Sequence, residues 1–251
     1  MNLGLDGKAC IVTGASRGIG DATARMLADE GARVLRVSRS ASGEDSLALD
    51  VTEPDAGERA VAVCVERFGA VDGLVNNAGT SYFRPLDELS DADWREQWEL
   101  HVMASLRMMK AAVPRMAEAG GGRVVNVCSS SGKRPSLTNA AYSVTKAAQL
   151  SLSRVFADAW ASKGVLVNAV APGPVESPLW LAEGGLADQV AEALGGSREE
   201  ALEAQRAKIP LGRFGREDEI AATIVFLCSE RASNVTGAAW SVDGGTVPII
   251  L

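Results

Sequence analysis

Short apolar runs alternate along the chain with longer stretches in which apolar positions recur every three or four residues, the marks of buried strands and amphipathic helices. The short runs predict strands over residues 8–13, 33–37, 47–51, 72–76, 123–128, 165–170 and 238–242. The longer stretches predict helices over 19–30, 54–68, 94–117, 140–161 and 217–229, with Gly31 stopping the first. About seven strands interleaved with helices make an α/β fold, a doubly wound parallel sheet of Rossmann type with helices on both faces. A length of 251 residues suits one such domain spanning the chain.

One segment, 176–209, breaks the rhythm. Gly184, Gly185, Gly195, Gly196 and Pro210 punctuate two short helical runs there. It reads as an insertion, either a surface helical hairpin or a mobile substrate lid. The lid is favoured because the segment follows the C-terminal end of a strand, where open α/β sheets bind ligands.

Composition narrows the function. Apolar residues make up 47% and charged residues 23%, ordinary values for a folded domain. The balance of 25 basic against 32 acidic residues gives a net charge of −7, and no dense basic run tracks a phosphate backbone, so nucleic acid and anionic membranes are not expected partners. Cys10, Cys64, Cys128 and Cys228 lie far apart, without C-x-x-C spacing, and read as buried thiols in a reducing compartment. With no secretion signal and no apolar stretch long enough for a membrane span, a cytoplasmic address is expected. One histidine and scattered cysteines offer no metal ligand set, and no metal is assigned.

The turn Thr13-Gly14-Ala15-Ser16-Arg17-Gly18-Ile19-Gly20 joins the first strand to the first helix. Its glycines allow a sharp bend and a close approach by a ligand, and the helix N-terminus aims free N–H groups at an anion such as a pyrophosphate. The spacing is not G-x-G-x-x-G, so a purely structural turn stays open at this point. At the tip of the second strand stand Ser38, Arg39 and Ser40, with no carboxylate to bond a ribose 2′-hydroxyl. Arg39, with Arg17 in the turn, favours NADP(H), with NAD(H) the alternative. The turn is also formally G-x-S-x-G around Ser16, but no histidine near the C-terminus completes a hydrolase triad.

Tyr142-Ser143-Val144-Thr145-Lys146 places a phenol and an ammonium four residues apart on one helical face. Ser129, thirteen positions upstream, ends a strand at the same edge of the sheet as the glycine turn. These pieces, with Asp50-Val51, Asn76-Asn77-Ala78-Gly79, Asn168, Pro172-Gly173 and Asp243-Gly244-Gly245, give a sequence that resembles the short-chain dehydrogenase/reductase family over almost its whole length, and its 3-oxoacyl-thioester reductases in particular.

The resemblance implies a hydride exchanged between a nicotinamide and a carbonyl or secondary alcohol carbon. It implies that Tyr142 exchanges the proton, that Ser129 holds the substrate oxygen, and that Lys146 lowers the phenol pKa and binds the nicotinamide ribose. A free phenol titrates near ~10, and bringing it to about 7 takes roughly 4 kcal/mol. An ammonium about 4–5 Å away, at an effective dielectric near 20, supplies roughly 3–4 kcal/mol. The cofactor is expected on Gly14, Ser16, Arg17, Gly18, Ile19 and Gly20, on Ser38 and Arg39, and on Tyr142 and Lys146. By resemblance, Asp50 and Val51 flank the adenine, Asn77, Ala78 and Gly79 wall the pocket, and Pro172, Gly173 and Val175 pack on the nicotinamide. Asn77 satisfying backbone groups, and Pro172-Gly173 serving only as a turn, stay open beside those roles.

One position departs from the family pattern. Leu100-His101-Val102 stands where the family has an Asn that completes a proton relay to the lysine. His101 either joins that relay or is a core histidine satisfied by hydrogen bonds. The alternative to an enzyme is a nucleotide-binding scaffold or sensor of the same fold. The substrate is not legible, though Leu179, Trp180 and Leu181 suggest apolar contact. The apolar end Val247-Pro248-Ile249-Ile250-Leu251, with the family's habit, implies a homotetramer.

Overall fold

The computed structural model describes residues 2–248, so the end of the apolar tail, 249–251, lies outside the described residues. Seven strands are present: β1 (Ala9–Thr13), β2 (Arg33–Ser38), β3 (Ser46–Ala48), β4 (Gly73–Asn76), β5 (Gly122–Val127), β6 (Val165–Pro172) and β7 (Ala239–Val242). They form one parallel sheet in the order β3-β2-β1-β4-β5-β6-β7. The order reverses between β1 and β4, and ligands bind such sheets at the C-terminal end of that crevice.

Strand periodicity distributes the core. Ala9 and Ile11 of β1 join one buried cluster, with α2 (Ala56–Phe68), α4 (Ala104–Glu118) and α6 (Ala140–Trp160). Cys10 and Val12 join the other, with α1 (Gly18–Asp29) and α10 (Glu217–Cys228). Alternate side chains of one strand thus feed both layers, which is why its sequence is continuously apolar instead of alternating. Each fully buried Ile11, Leu35 or Leu74 contributes about 1.5–3 kcal/mol.

Two elements differ from expectation. The third strand covers only Ser46–Ala48, because Asp50 turns the chain by accepting from the N–H and hydroxyl of Thr52 at 2.9 and 2.7 Å. The long helix expected over 94–117 begins earlier, at α3 (Asp91–Trp98), where Ser90 and Asp93 form a capping box. It then widens into a π-type turn, Glu99–Met103, before continuing as α4. Such turns insert a residue into a helix and are frequent at functional sites.

Between β6 and α10 the chain carries α7 (Pro178–Leu181), α8 (Leu186–Leu194) and α9 (Arg198–Arg206), three helices where two were expected. They enclose a small cluster of their own, Ala187, Leu202, Ile209 and Phe214, with Trp180 edge-on to Phe214 at 5.2 Å. The short α5 (Ser130–Lys133) follows β5.

Candidate active site

The glycine turn lies at the C-terminal end of β1, beside the β1/β4 crevice. Gly14 and Gly18 both have φ of +66°, a region other residues rarely enter. A Cβ on Gly20 would lie 2.3 Å from the Gly14 carbonyl oxygen, so the first turn of α1 packs directly on the loop. Arg17 at the N-cap makes no side-chain cap, which leaves the helix N–H groups available. Thr13 Oγ1 accepts from the N–H groups of Asn77 and Ala78, each at 3.0 Å. The Asn77 amide donates to the carbonyls of Thr13 and Gly14 at 2.9 and 3.3 Å. Asn77 thus holds the turn against the end of β4, the backbone role left open in the sequence.

Further along the edge, Ser38 Oγ is buried without a hydrogen-bond partner at the tip of β2. Among the described residues, the guanidinium groups of Arg17 and Arg39 are bonded to no protein group. Thr52 holds the Asp50 carboxyl below the usual carboxylate range, chiefly through its N–H and hydroxyl, and Val51 beside it is buried. A turn with no room for a Cβ at Gly14 or Gly20, an open helix N-terminus and an orphaned buried hydroxyl fit a dinucleotide.

The turn opens into a cleft of about 830 Å³ lined by Ser129, Tyr142, Lys146, Gly79, Pro172, Gly173 and Val175 among others. Ser129 caps α5, its Oγ accepting from Ser131 N–H at 3.1 Å. Tyr142 and Lys146 share one face of α6, as the sequence requires. Lys146 is only 3% exposed. Its Nζ donates to the Val127 carbonyl at 2.8 Å and to Gln149 Oε1 at 2.9 Å, and lies 5.7 Å from the centre of the Tyr142 ring.

The electrostatics correct one expectation. Burial pushes the Lys146 ammonium down to about 8. It also pushes the Tyr142 phenol up to about 12, against a lowering pull from the Ser129 hydroxyl. Without cofactor, Lys146 does not bring the phenol toward neutrality, because its ammonium is turned onto the β5 carbonyl and Gln149.

His101 is wholly buried on the π-type turn and packs edge-to-face with Tyr142, ring centres 5.2 Å apart. Thr145 Oγ1 spends its proton on the Tyr142 carbonyl at 2.8 Å, so at 3.0 Å it accepts from His101 Nδ1–H. Nε2 accepts from the Thr80 N–H at 3.3 Å. Burial, then the charge of Lys146, hold the imidazole pKa well below 6.5. Both ring nitrogens are engaged and the ring is neutral, so the geometry gives it no free nitrogen with which to pass a proton. It does stand against the site, since a Cβ on Gly79 would be 3.1 Å from its Nε2 and 3.6 Å from Lys146 Nζ.

Gln149 was missed in the sequence. Its Nε2 donates to Ser105 Oγ at 2.8 Å, and its carbonyl accepts from Ser153 Oγ at 2.9 Å. Asn126 donates to Ser153 Oγ at 2.7 Å and accepts from Asn76 at 2.8 Å. A buried polar chain thus runs from Lys146 across α6 to β5 and β4. The available signal was a long polar side chain three positions after Lys146, on a helical face otherwise made of small residues. Two other motif residues are structural: Asn168 bonds Val235 and Ala238, and Asp243 caps the turn through the N–H groups of Gly245 and Val247.

Gln149 Oε1 accepts from the charged form of Lys146, so losing it should lower a pKa already near 8. Cofactor affinity that needs the ammonium fades as pH rises through that value. Gln149→Leu should move this alkaline transition down by about one pH unit, and Gln149→Glu should move it up. Fluorescence titration with NADPH between pH 6.5 and 10 measures it; a purely structural role would shift both variants the same way.

A family model described as enoyl-(acyl carrier protein) reductase matches residues 14–247. The chain is 35% identical over 254 residues to the 3-oxoacyl-[acyl-carrier-protein] reductase of Vibrio cholerae, covering 97% of this chain and 98% of that protein. It is 35% identical to D-threitol dehydrogenase of Mycolicibacterium smegmatis, covering 96% and 93%. L-sorbose reductase of Gluconobacter frateurii, solved with NADPH and L-sorbose, superposes with a TM-score of 0.90 at 33% identity over 100% of both chains. The glycine turn, Ser129, Tyr142 and Lys146 stand in one cleft of that shared fold, and the chain belongs to the short-chain dehydrogenase/reductase family as a nicotinamide-dependent oxidoreductase acting on CH–OH and C=O groups.

Proposed function

We propose that the chain reduces a carbonyl compound, a 3-oxoacyl thioester or a ketone, with NADPH in preference to NADH, and runs the reverse oxidation when product accumulates. The observation that carries this reading is the meeting of Ser129, Tyr142 and Lys146 in the one cleft that the nucleotide turn opens into. When bound, the cofactor supplies the hydride. Ser129 and Tyr142 hold the substrate oxygen by hydrogen bonds, and Tyr142 Oη gives up its proton as negative charge grows on that oxygen. Lys146 holds the nicotinamide ribose and stabilises the phenolate left behind. His101 is a positioning residue, a neutral wedge against Tyr142, and any relay to Lys146 bypasses its ring.

The unpartnered Ser38 hydroxyl, with Arg39 and Arg17, supports a 2′-phosphate on the adenine ribose. The segment 176–209 acts as a lid on one dinucleotide-binding domain spanning 1–251. Its one polar tie across the cleft is Gln189, which accepts from Phe83 N–H at 2.8 Å. Trp98 on α3 and Val144 and Val155 on α6 are 44%, 46% and 60% exposed, and Trp240 on the edge strand β7 is 38% exposed. Apolar surface on the long helices and the last strand supports a homotetramer. No helix is long and apolar enough to cross a membrane, and four buried free cysteines suit the cytoplasm.

Tyr142→Phe should lower turnover at least about 100-fold while NADPH still binds with near wild-type affinity, measured by absorbance at saturating cofactor and by fluorescence titration. Wild-type turnover in that variant would remove the reading. Arg39→Asp should weaken NADPH binding by ten-fold or more and NADH binding little, so that the preference inverts; an unchanged ratio refutes the 2′-phosphate assignment. Light scattering should return the mass of four chains.

A further inference from the structure

The cleft has a charge pattern that the dinucleotide does not use up. Four cationic residues line it, Arg17, Arg134, Lys146 and Lys208, and no Asp or Glu does. The chain as a whole has 32 acidic against 25 basic residues, so this is a local property and not an overflow of basic composition. Arg17 belongs to the nucleotide turn, and Lys146 spends its hydrogen bonds on Val127 and Gln149. Arg134 and Lys208 remain.

Arg134 lies immediately after α5, five residues past Ser129, its N–H bonded to the Ser130 carbonyl at 2.9 Å. Its guanidinium has no hydrogen-bond or ion-pair partner among the described residues. Arg84, Arg198 and Arg213, by contrast, bond the carboxylates of Asp93, Asp188 and Glu219. Lys208, just beyond α9, also lines the cleft and is likewise unpaired among the described residues, and both side chains are exposed to solvent. A planar fork of N–H donors left open in a cleft suits an oxyanion, and a second cation lining the same cleft adds charge without fixed geometry. Trp180, Leu186 and Val190 of the segment 176–209 add apolar lining to the same cleft.

We infer that the physiological substrate is a hydroxy or oxo compound that also carries an anionic oxygen group, carboxylate or phosphate, held by Arg134 and Lys208 while its apolar body lies against the lid helices. This rests on the oxidoreductase reading of the same cleft and adds what that reading lacks, a chemical class for the far end of the substrate. A neutral ketone offers these two solvated cations nothing to bind, whereas an anionic one supplies the counter-charge that no Asp or Glu of the cleft provides.

The test pairs each of a panel of oxo carboxylates with its own methyl ester, adds phosphorylated ketoses with their unphosphorylated parents, and follows NADPH absorbance in the intact enzyme. The expected result is that kcat/KM for the anionic member exceeds its neutral partner at least ten-fold in the carboxylate or the phosphate series, the preferred series naming the group. The preference should fall about ten-fold in Arg134→Gln and further with Lys208→Gln added, through KM and not kcat. NADPH affinity, measured separately, should stay within two-fold. Should no panel member turn over, thermal melting of the NADP-loaded protein reads the same preference as stabilisation by the anion over its neutral partner. Equal use or equal stabilisation by anionic and neutral members overturns the proposal, as does a preference that survives both substitutions. Failure to bind NADPH at all would instead defeat the reading beneath it.

Discussion

A buried ammonium sets the terms for the rest of this site. Lys146 has almost no contact with water, and two of its three N–H bonds are taken by neutral acceptors, the Val127 carbonyl and the Gln149 amide. Taking such a charge out of water is costly unless its hydrogen bonds are replaced, and two dipoles replace them only in part, which is why its pKa falls to about 8. The same burial acts in the opposite direction on Tyr142, raising it to about 12. A phenol and an amine four residues apart on one helix thus have their protons held and loosened by one cause. At neutral pH the phenol is the proton donor a reduction needs. Oxidation needs phenolate, the state that Lys146, in the role proposed for it, would stabilise with cofactor bound.

The histidine belongs to the same constraint. A π-type turn at Glu99–Met103 sets His101 against Tyr142 and beside Lys146. A cationic imidazole there would repel the ammonium, so the ring stays neutral, with Nδ1–H given to Thr145 and Nε2 occupied by Thr80. The folded protein therefore resists protonating a group that the unfolded chain protonates below about 6.5. The sign is unfavourable in acid: His101 subtracts stability as pH falls below that value and is neutral in its effect above it.

Much of this was legible in the residues. The strands stand out because a parallel sheet covered on both faces makes them largely apolar without alternation, as with Val124-Val125 and Ala169 to Ala171. The glycine turn, Ser129, Tyr142 and Lys146 are legible because the chemistry fixes both residue type and spacing. The early end of the third strand was not, since Leu49 and Val51 are as apolar as a strand but are buried beyond it while Asp50 turns the chain through Thr52. Nor was the π-type turn, because helical periodicity survives one extra residue. The direction of Lys146 was the least accessible. Spacing places Tyr142 and Lys146 on a common face, but the ammonium goes to its acceptors, and Gln149 becomes an acceptor only once α4, α6 and β5 have packed around it.

The lid and the cleft meet the same rule that governs Lys146. The helices α7 to α9 share a small core with Ile209 and Phe214, and Gln189 ties them to the Phe83 backbone while donating back to the Gly184 carbonyl at 2.8 Å. Covering a cleft that holds cations and no carboxylates would bury unpaired charge, and the cost grows as water leaves. The dinucleotide brings its negative charge to the turn at Arg17, while the far side, at Arg134 and Lys208, is compensated only by what the substrate brings. In the proposed scheme the segment 176–209 would close at least cost over a complete set of ligands, which would assign discrimination against neutral compounds to that step and not to the hydride transfer.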